Sequence, residues 1–192
     1  MLISNHTRLD INNHFLMGQP MKSYNTAISR KTMSVPTKHL LNRGRIVGGA
    51  ILDYGCGKGK DVEELKAMGY KVTGYDPHFY PNLPIGKFDI IIMNYVLNII
   101  ETPNSRPLIM RSAFEMLNNG GVLYISCRNK KDINTASGEW YEHNDGFLTK
   151  KYTFQAGIDY DDLYNCFLKS GIAGVTISNM STSKFTMVAI KK

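Results

Sequence analysis

The chain has 192 residues, 43% of them apolar and 20% charged, a balance that excludes wholesale disorder. At this length one domain can bury roughly two-thirds of the unfolded surface, and no period of about 20–50 residues marks a repeat array. Lys and Arg number 23 against 16 Asp and Glu, for a net charge of +7.

That charge is concentrated at the start. Residues 1–49 hold Arg8, Lys22, Arg30, Lys31, Lys38, Arg43 and Arg45 against a single acid, Asp10. The first 25 or so residues lack sustained periodicity and read as an arm. A short helix is expected from about Ser34 to Asn42, with Pro36 in its first turn. Regular apolar patterning begins at Ala50, so 1–49 reads as a basic arm and helix and 50–192 as the main domain.

From there strands and helices alternate. Ala50–Tyr54 is a short apolar strand running into a glycine cluster. Lys60–Met68 is a helix with three acids near its start and Gly69 as its stop. Lys71–Tyr75 and Phe88–Asn94 are strands, and Ser105–Leu117 is a helix ended by Asn118-Asn-Gly-Gly121. Val122–Cys127 is a strand, Asn129–Gln155 is irregular, and Asp159–Ser170 is a helix stopped by Gly171. The last two strands, about Val175–Ile177 and Phe185–Ile190, are linked too tightly for a helical crossover and should pair antiparallel. The expected fold is α/β: a mostly parallel sheet, helices on both faces, and an antiparallel C-terminal edge.

Several classes drop out. The apolar stretch Asp89–Ile100 is interrupted by Asp89, Asn94 and Asn98 and falls short of the ~20 residues needed to span a bilayer. No membrane partner is expected. Cys56, Cys127 and Cys166 lack CxxC spacing, and His143 has no partner at metal-ligand spacing, so no metal site is expected. With no apolar leader near the start, the chain reads as cytoplasmic.

Between the first strand and first helix stands Ile51-Leu-Asp53-Tyr-Gly55-Cys56-Gly57-Lys-Gly59. Glycines there allow positive φ and close approach of a ligand. The spacing is GxGxG, neither the GxGxxG of dinucleotide sites nor a P-loop. Asp76 ends the second strand 23 residues after Asp53, a place from which a carboxylate can accept from ribose hydroxyls.

These residues resemble motif I of class I S-adenosylmethionine (SAM)-dependent methyltransferases, and Val-Thr-Gly-Tyr-Asp76 looks like their next motif. Phe88–Leu97 resembles their fourth strand and Asn119-Gly-Gly-Val-Leu-Tyr-Ile the start of the fifth. A finer resemblance is to the methyltransferases associated with DNA phosphorothioation. It is carried by Thr26–Arg30, the glycine loop, Gly74–Pro77, Tyr95–Glu101, Asp145–Thr149 and Thr153–Gln155. The resemblance implies a Rossmann-like methyltransferase sandwich with SAM as cofactor. SAM would be held by Asp53, Gly55, Cys56, Gly57, Gly59, Asp76, Pro77 and Asn94, with Asn94 and Tyr95 near the methyl group as catalytic candidates. One departure stands out. Only Pro77 to Lys87 separate Asp76 from the next strand, so the family's third strand is shortened or lost, and Phe79 and Tyr80 are the expected stacking partners of adenine.

Methyl transfer from a sulfonium chiefly requires positioning and removal of a proton, so no universal catalytic residue is expected. The Pro-Pro signature of amino-group methyltransferases and a cysteine nucleophile are both missing after Met93. Cys56 and Cys127 read as small apolar residues. Trp140 and Tyr141, interleaved with basic residues, and the cations Arg30 and Lys31 are the substrate-binding candidates, as bases and phosphates would require. The same aromatics could instead cap the core from a hairpin around Asn144-Asp145-Gly146. A nucleic acid or nucleotide-like acceptor is expected. A small-molecule methyltransferase or a non-catalytic SAM- or nucleic-acid-binding module are the alternatives.

Overall fold

The computed structural model describes residues 23–192. The arm expected over the first 25 or so residues lies, up to residue 22, outside the described residues.

After a 3₁₀ turn at Ser23–Thr26, the elements in chain order are α1 (Val35–Asn42), β1 (Ala50–Tyr54), α2 (Lys60–Ala67), β2 (Lys71–Tyr75) and β3 (Phe88–Asn94). There follow a 3₁₀ turn at Leu97–Ile99, α3 (Ser105–Glu115), β4 (Leu117–Cys127), α4 (Lys130–Ala136) and three short strands, β5 (Tyr141–His143), β6 (Gly146–Leu148) and β7 (Phe154–Gln155). α5 (Tyr160–Lys169), β8 (Thr176–Asn179) and β9 (Thr186–Lys191) complete the chain.

The main sheet has the order β2-β1-β3-β4-β9-β8. β1 pairs parallel with β2 and β3, and β3 with β4, whereas β9 runs antiparallel to both β4 and β8. The α/β reading with an antiparallel C-terminal edge is therefore observed. The chain moves outward from β1 to β2, then crosses back to β3 on the other side, so the direction of winding switches between β1 and β3. A crevice opens beyond the carboxyl ends of strands at such a point. Among the described residues no strand lies outside β2, and segment 77–87 contributes only an antiparallel bridge between Asp76 and Tyr80.

Alternation along the strands sorts the apolar side chains into two cores. Ile90 and Ile92 of β3 join Ile51, Val62, Leu65 and Leu40 on one face. Ile91 and Met93 face Ile109, Met110 and Leu163 on the other. Met33, Leu40 and Ile46 are buried in the first core, so the basic segment is part of the packed fold from Met33 onward.

Two local differences from the sequence reading have clear causes. β4 begins at Leu117 rather than Val122, because Asn118–Gly121 bulges while pairing with β3 continues on both sides, from Phe88↔Leu117 to Ile90↔Val122. The Asn-Asn-Gly-Gly turn chemistry is present, with Gly120 at φ 80°, but inside a strand. Within the stretch read as irregular lies α4, whose N-terminus is capped by Asn129 accepting from the Asp132 N–H. Only Ile133 of that helix is buried, so it carries no apolar stripe to read. The hairpin β5–β6 forms around Asn144, which sits at φ 50°.

Candidate active site

At the carboxyl ends of β1, β2 and β3 lies a cavity of about 740 Å³. One end is walled by the glycine loop, Asp76–His78 and the segment from Ser23 to Val35. The other runs past Tyr95 and Asn98 to Arg128, Trp140, Thr149 and Gln155.

The loop geometry explains its glycines. Gly55 (φ 82°) turns the chain out of β1, and a Cβ there would overlap Val96 Cγ2. Gly57 (φ 54°) faces Ala27, 3.3 Å from where a Cβ would stand. Gly59 is the left-handed N-cap of α2 beneath the Tyr80 hydroxyl. Asp76 ties this loop to the end of β2. Its Oδ2 accepts from Gly57 N–H at 3.0 Å, and its Oδ1 from the N–H groups of His78 and Phe79 at 2.9 and 3.0 Å. One acceptor position on Oδ2 is left for a ligand hydroxyl.

Asp53 is buried, and its carboxyl is pushed well above the usual range, first by desolvation and then by Asp61, with Arg30 opposing. A raised folded value favours the neutral form. That contribution to stability is complete below the unfolded pKa, about 3.9, and is lost as pH rises through the folded value. Asp53→Asn should therefore unfold at higher urea than the parent at neutral pH, with the gap closing below about pH 4; a gap that widens on acidification would refute the assignment.

Cys56 is buried with its sulfur against Gly74, and burial, then Asp53, raises its thiol pKa. Cys127 is fully buried and likewise raised. Neither is a thiolate at neutral pH.

The structure places Asn94 differently from the catalytic expectation. Its Nδ2 donates to Ser34 Oγ (3.2 Å) and Thr37 Oγ1 (2.7 Å), and its Oδ1 accepts from Ser126 Oγ at 2.7 Å. Both amide hydrogens are taken. Asn94 borders the cavity but spends its polar groups fastening α1 to β3 and β4. Tyr95 is the stronger candidate: it lines the cavity at φ 59°, a strained conformation for a non-glycine residue. Burial pushes its phenol up to about 12, against the lowering effect of Arg30, so at neutral pH the hydroxyl keeps its proton.

Asp61, which the sequence presents as one helix-start acid among three, is the hub of this wall. It is buried and accepts from Arg30 Nη2 (2.9 Å), Ser34 N–H (2.8 Å), Ser34 Oγ (2.5 Å) and Thr37 Oγ1 (2.7 Å). Arg30 is therefore an internal ion-pair partner, not the free phosphate ligand expected of it. Lys31 is exposed at the cavity rim with no acidic partner among the described residues. Trp140 lines the cavity with the Arg128 guanidinium 6.0 Å from its ring, and Arg128 pairs with Asp132. Tyr141 is 66% exposed on β5 and is not brought to the cavity. Phe79 and Tyr80 also stay off the cavity wall. Pro77 and His78 line it instead, and the Tyr24 ring stacks on His78 at 4.2 Å.

A methyltransferase domain profile matches residues 27–176. The chain belongs to this methyltransferase family. Its fold is that of class I SAM-dependent methyltransferases. A Burkholderia thailandensis 1,6-didemethyltoxoflavin-N1-methyltransferase, solved with 1,6-didemethyltoxoflavin and S-adenosylhomocysteine, aligns over 100% of this chain and 92% of its own at 14% identity and a TM-score of 0.62. A Bacteroides fragilis SAM-dependent methyltransferase bound to S-adenosylhomocysteine aligns over 84% of this chain and 78% of its own, at 16% identity and a TM-score of 0.57. A Methanosarcina mazei SAM-dependent methyltransferase gives 84% and 98%, 18% identity and 0.56. No curated protein matches the methyltransferase described here. No described helix is long and apolar enough to cross a membrane, and the described residues contain no His, Cys, Asp or Glu group able to hold a metal.

Proposed function

We propose that this SAM-dependent methyltransferase methylates a nucleobase-bearing acceptor, either a nucleic acid or a nucleotide-like molecule. The observation that carries the reading is one continuous cavity, which runs from the glycine loop past Tyr95 to Trp140 and Arg128. In this reading the glycine-loop end takes the cofactor and the Trp140 end the acceptor, with Tyr95 between them.

The cofactor fits the residues present. SAM supplies an electrophilic methyl group when bound. Gly55, Gly57 and Asp53 would surround its amino-acid part, and the open Oδ2 position of Asp76 would take a ribose hydroxyl. The Tyr24–His78 stack with Pro77 would flank adenine, doing the work of the missing third strand. Gly59 and Cys56 shape the loop, Gly59 by capping α2.

The charge distribution and the finer resemblance to the DNA phosphorothioation-associated methyltransferases favour a nucleic acid. The cationic segment reaches the rim at Lys31, and Lys58 Nζ there donates to Ser29 Oγ at 3.0 Å. A small-molecule acceptor is the second reading, favoured because Thr149 and Gln155 also line the acceptor end and narrow the room for a polymer.

The test is incubation with methyl-labelled SAM and separate pools of DNA, RNA and metabolites. Label is expected in DNA, RNA or nucleotides, and label confined to non-nucleotide metabolites would overturn the proposal. Binding to the labelled polymer should weaken with salt. Lys31→Ala should lower the magnitude of the log–log slope by about one, and an unmoved slope would remove Lys31 from the contact surface.

A further inference from the structure

We infer that the acceptor end of the cavity is a subsite for an amino-bearing heteroaromatic ring, read by the paired side-chain amides of Asn98 and Gln155; this rests on the methyltransferase reading above.

Asn98 sits in the 3₁₀ turn Leu97–Ile99, immediately beyond the carboxyl end of β3. It is 1% exposed, between the fully buried Leu97 and Ile100. Its main-chain carbonyl accepts from Ala156 N–H at 2.8 Å, and its Nδ2 donates to Gln155 Oε1 at 3.2 Å. Its Oδ1 has no partner among the described residues. Buried polar atoms are nearly always paired, so an orphan beside a cavity marks a place where a ligand completes the bonding. Asn98 and Gln155 both line the cavity, so a donor for the buried Oδ1 would come from that side.

The chemistry of the missing partner follows from the atoms left over. Asn98 Oδ1 needs an N–H or O–H, whereas phosphate and carboxylate oxygens offer only further acceptors. The Gln155 Nε2 makes no bond to a described residue, so a free donor lies beside the free acceptor. An amino group next to a ring nitrogen, as on the edges of adenine and cytosine, satisfies both at once. Neighbouring charge points the same way. Arg128 is neutralised by Asp132 and Arg30 by Asp61, which leaves this end polar but not strongly cationic. Trp140 at the same end offers a flat face for a ring.

The experiment uses the full chain saturated with S-adenosylhomocysteine. Adenosine and cytidine are titrated beside purine riboside and 2-pyrimidinone riboside, which lack only the amino group, with calorimetry and Trp140 fluorescence as readouts. At least one amino nucleoside should bind about tenfold or more tightly than its deamino counterpart, since the counterpart leaves the buried acceptor unpaired. Asn98→Leu should erase that preference while leaving S-adenosylhomocysteine affinity and thermal unfolding at parental values. If Asn98→Leu does not fold, Gln155→Leu, at a half-buried position, should reduce the preference severalfold. Equal binding of amino and deamino pairs, no binding of either amino nucleoside to the cofactor-loaded protein, or a preference that survives both substitutions overturns the subsite. Failure of the parent to bind S-adenosylhomocysteine overturns the methyltransferase reading itself and is seen in the first titration.

Discussion

Asp61→Ala should destabilise the protein by about 2–4 kcal/mol, because it removes a buried carboxylate from partly exposed Arg30 and leaves buried Ser34 and Thr37 donors unpaired, at about 1–3 kcal/mol each. The carboxylate is 2% exposed and serves four donors, so Arg30, Ser34 and Thr37 all lose their acceptor together. Asn94 donates to the same two hydroxyls, so the disturbance passes to the end of β3. Urea denaturation should show the loss, and S-adenosylhomocysteine binding should fall with it because the Ser23–Val35 wall is no longer held. Asp61→Asn keeps the shape and only two acceptor directions, and should fall between the parent and the alanine variant. Parental stability in Asp61→Ala would mean that the wall is fixed by its apolar contacts alone.

The glycine loop should separate folding from ligand binding. Gly55→Val combines a φ of 82°, costing about 1–3 kcal/mol for a branched residue, with overlap on Val96, costing a similar amount. A loss of about 2–6 kcal/mol in unfolding free energy is expected, a large part of the roughly 5–15 kcal/mol that holds a domain folded. Gly57→Val meets only Ala27, at 3.3 Å, so its folding penalty should be confined to about 1–3 kcal/mol of backbone strain. Its added side chain stands in the cavity wall, and calorimetry should detect no S-adenosylhomocysteine binding to the folded variant. Tight binding by folded Gly57→Val would move the cofactor elsewhere.

Backbone-dictated features were legible in the sequence. Gly55, Gly57 and Gly59 announce themselves because positive φ at a strand-to-helix turn excludes most other residues, and Asp76 follows from where the next strand must end. The mostly parallel sheet followed from helices alternating with strands, and the antiparallel C-terminal pair from a link too short for a helical crossover. Side-chain assignments across long separations were not legible. Asn94 looked available for chemistry because its partners, Ser34 and Thr37, lie 60 and 57 residues earlier. Arg30 looked like a surface cation because Asp61, 31 residues on, gives no sign of being buried. Tyr141 was grouped with Trp140 by adjacency, but alternation along β5 and the turn before it send neighbours in different directions. α4 leaves no period to detect, because Ile133 is its single buried residue.

The loss of an outer strand beyond β2 has a consequence for solubility. β2 pairs only with β1 among the described residues, so one side of Lys71–Tyr75 carries backbone donors and acceptors that no described strand pairs. Such a rim invites strand addition by another chain and the growth of aggregates. Here the rim is five residues long, with an exposed lysine at its first position and an exposed threonine at its third. Just past its far end, Asp76 and Tyr80 close on each other through mutual main-chain hydrogen bonds of 3.2 and 2.9 Å. A short strand, a charge at its head and a fold-back at its tail leave little room for an incoming strand to register, so the sheet can end at β2 without becoming a template for self-association.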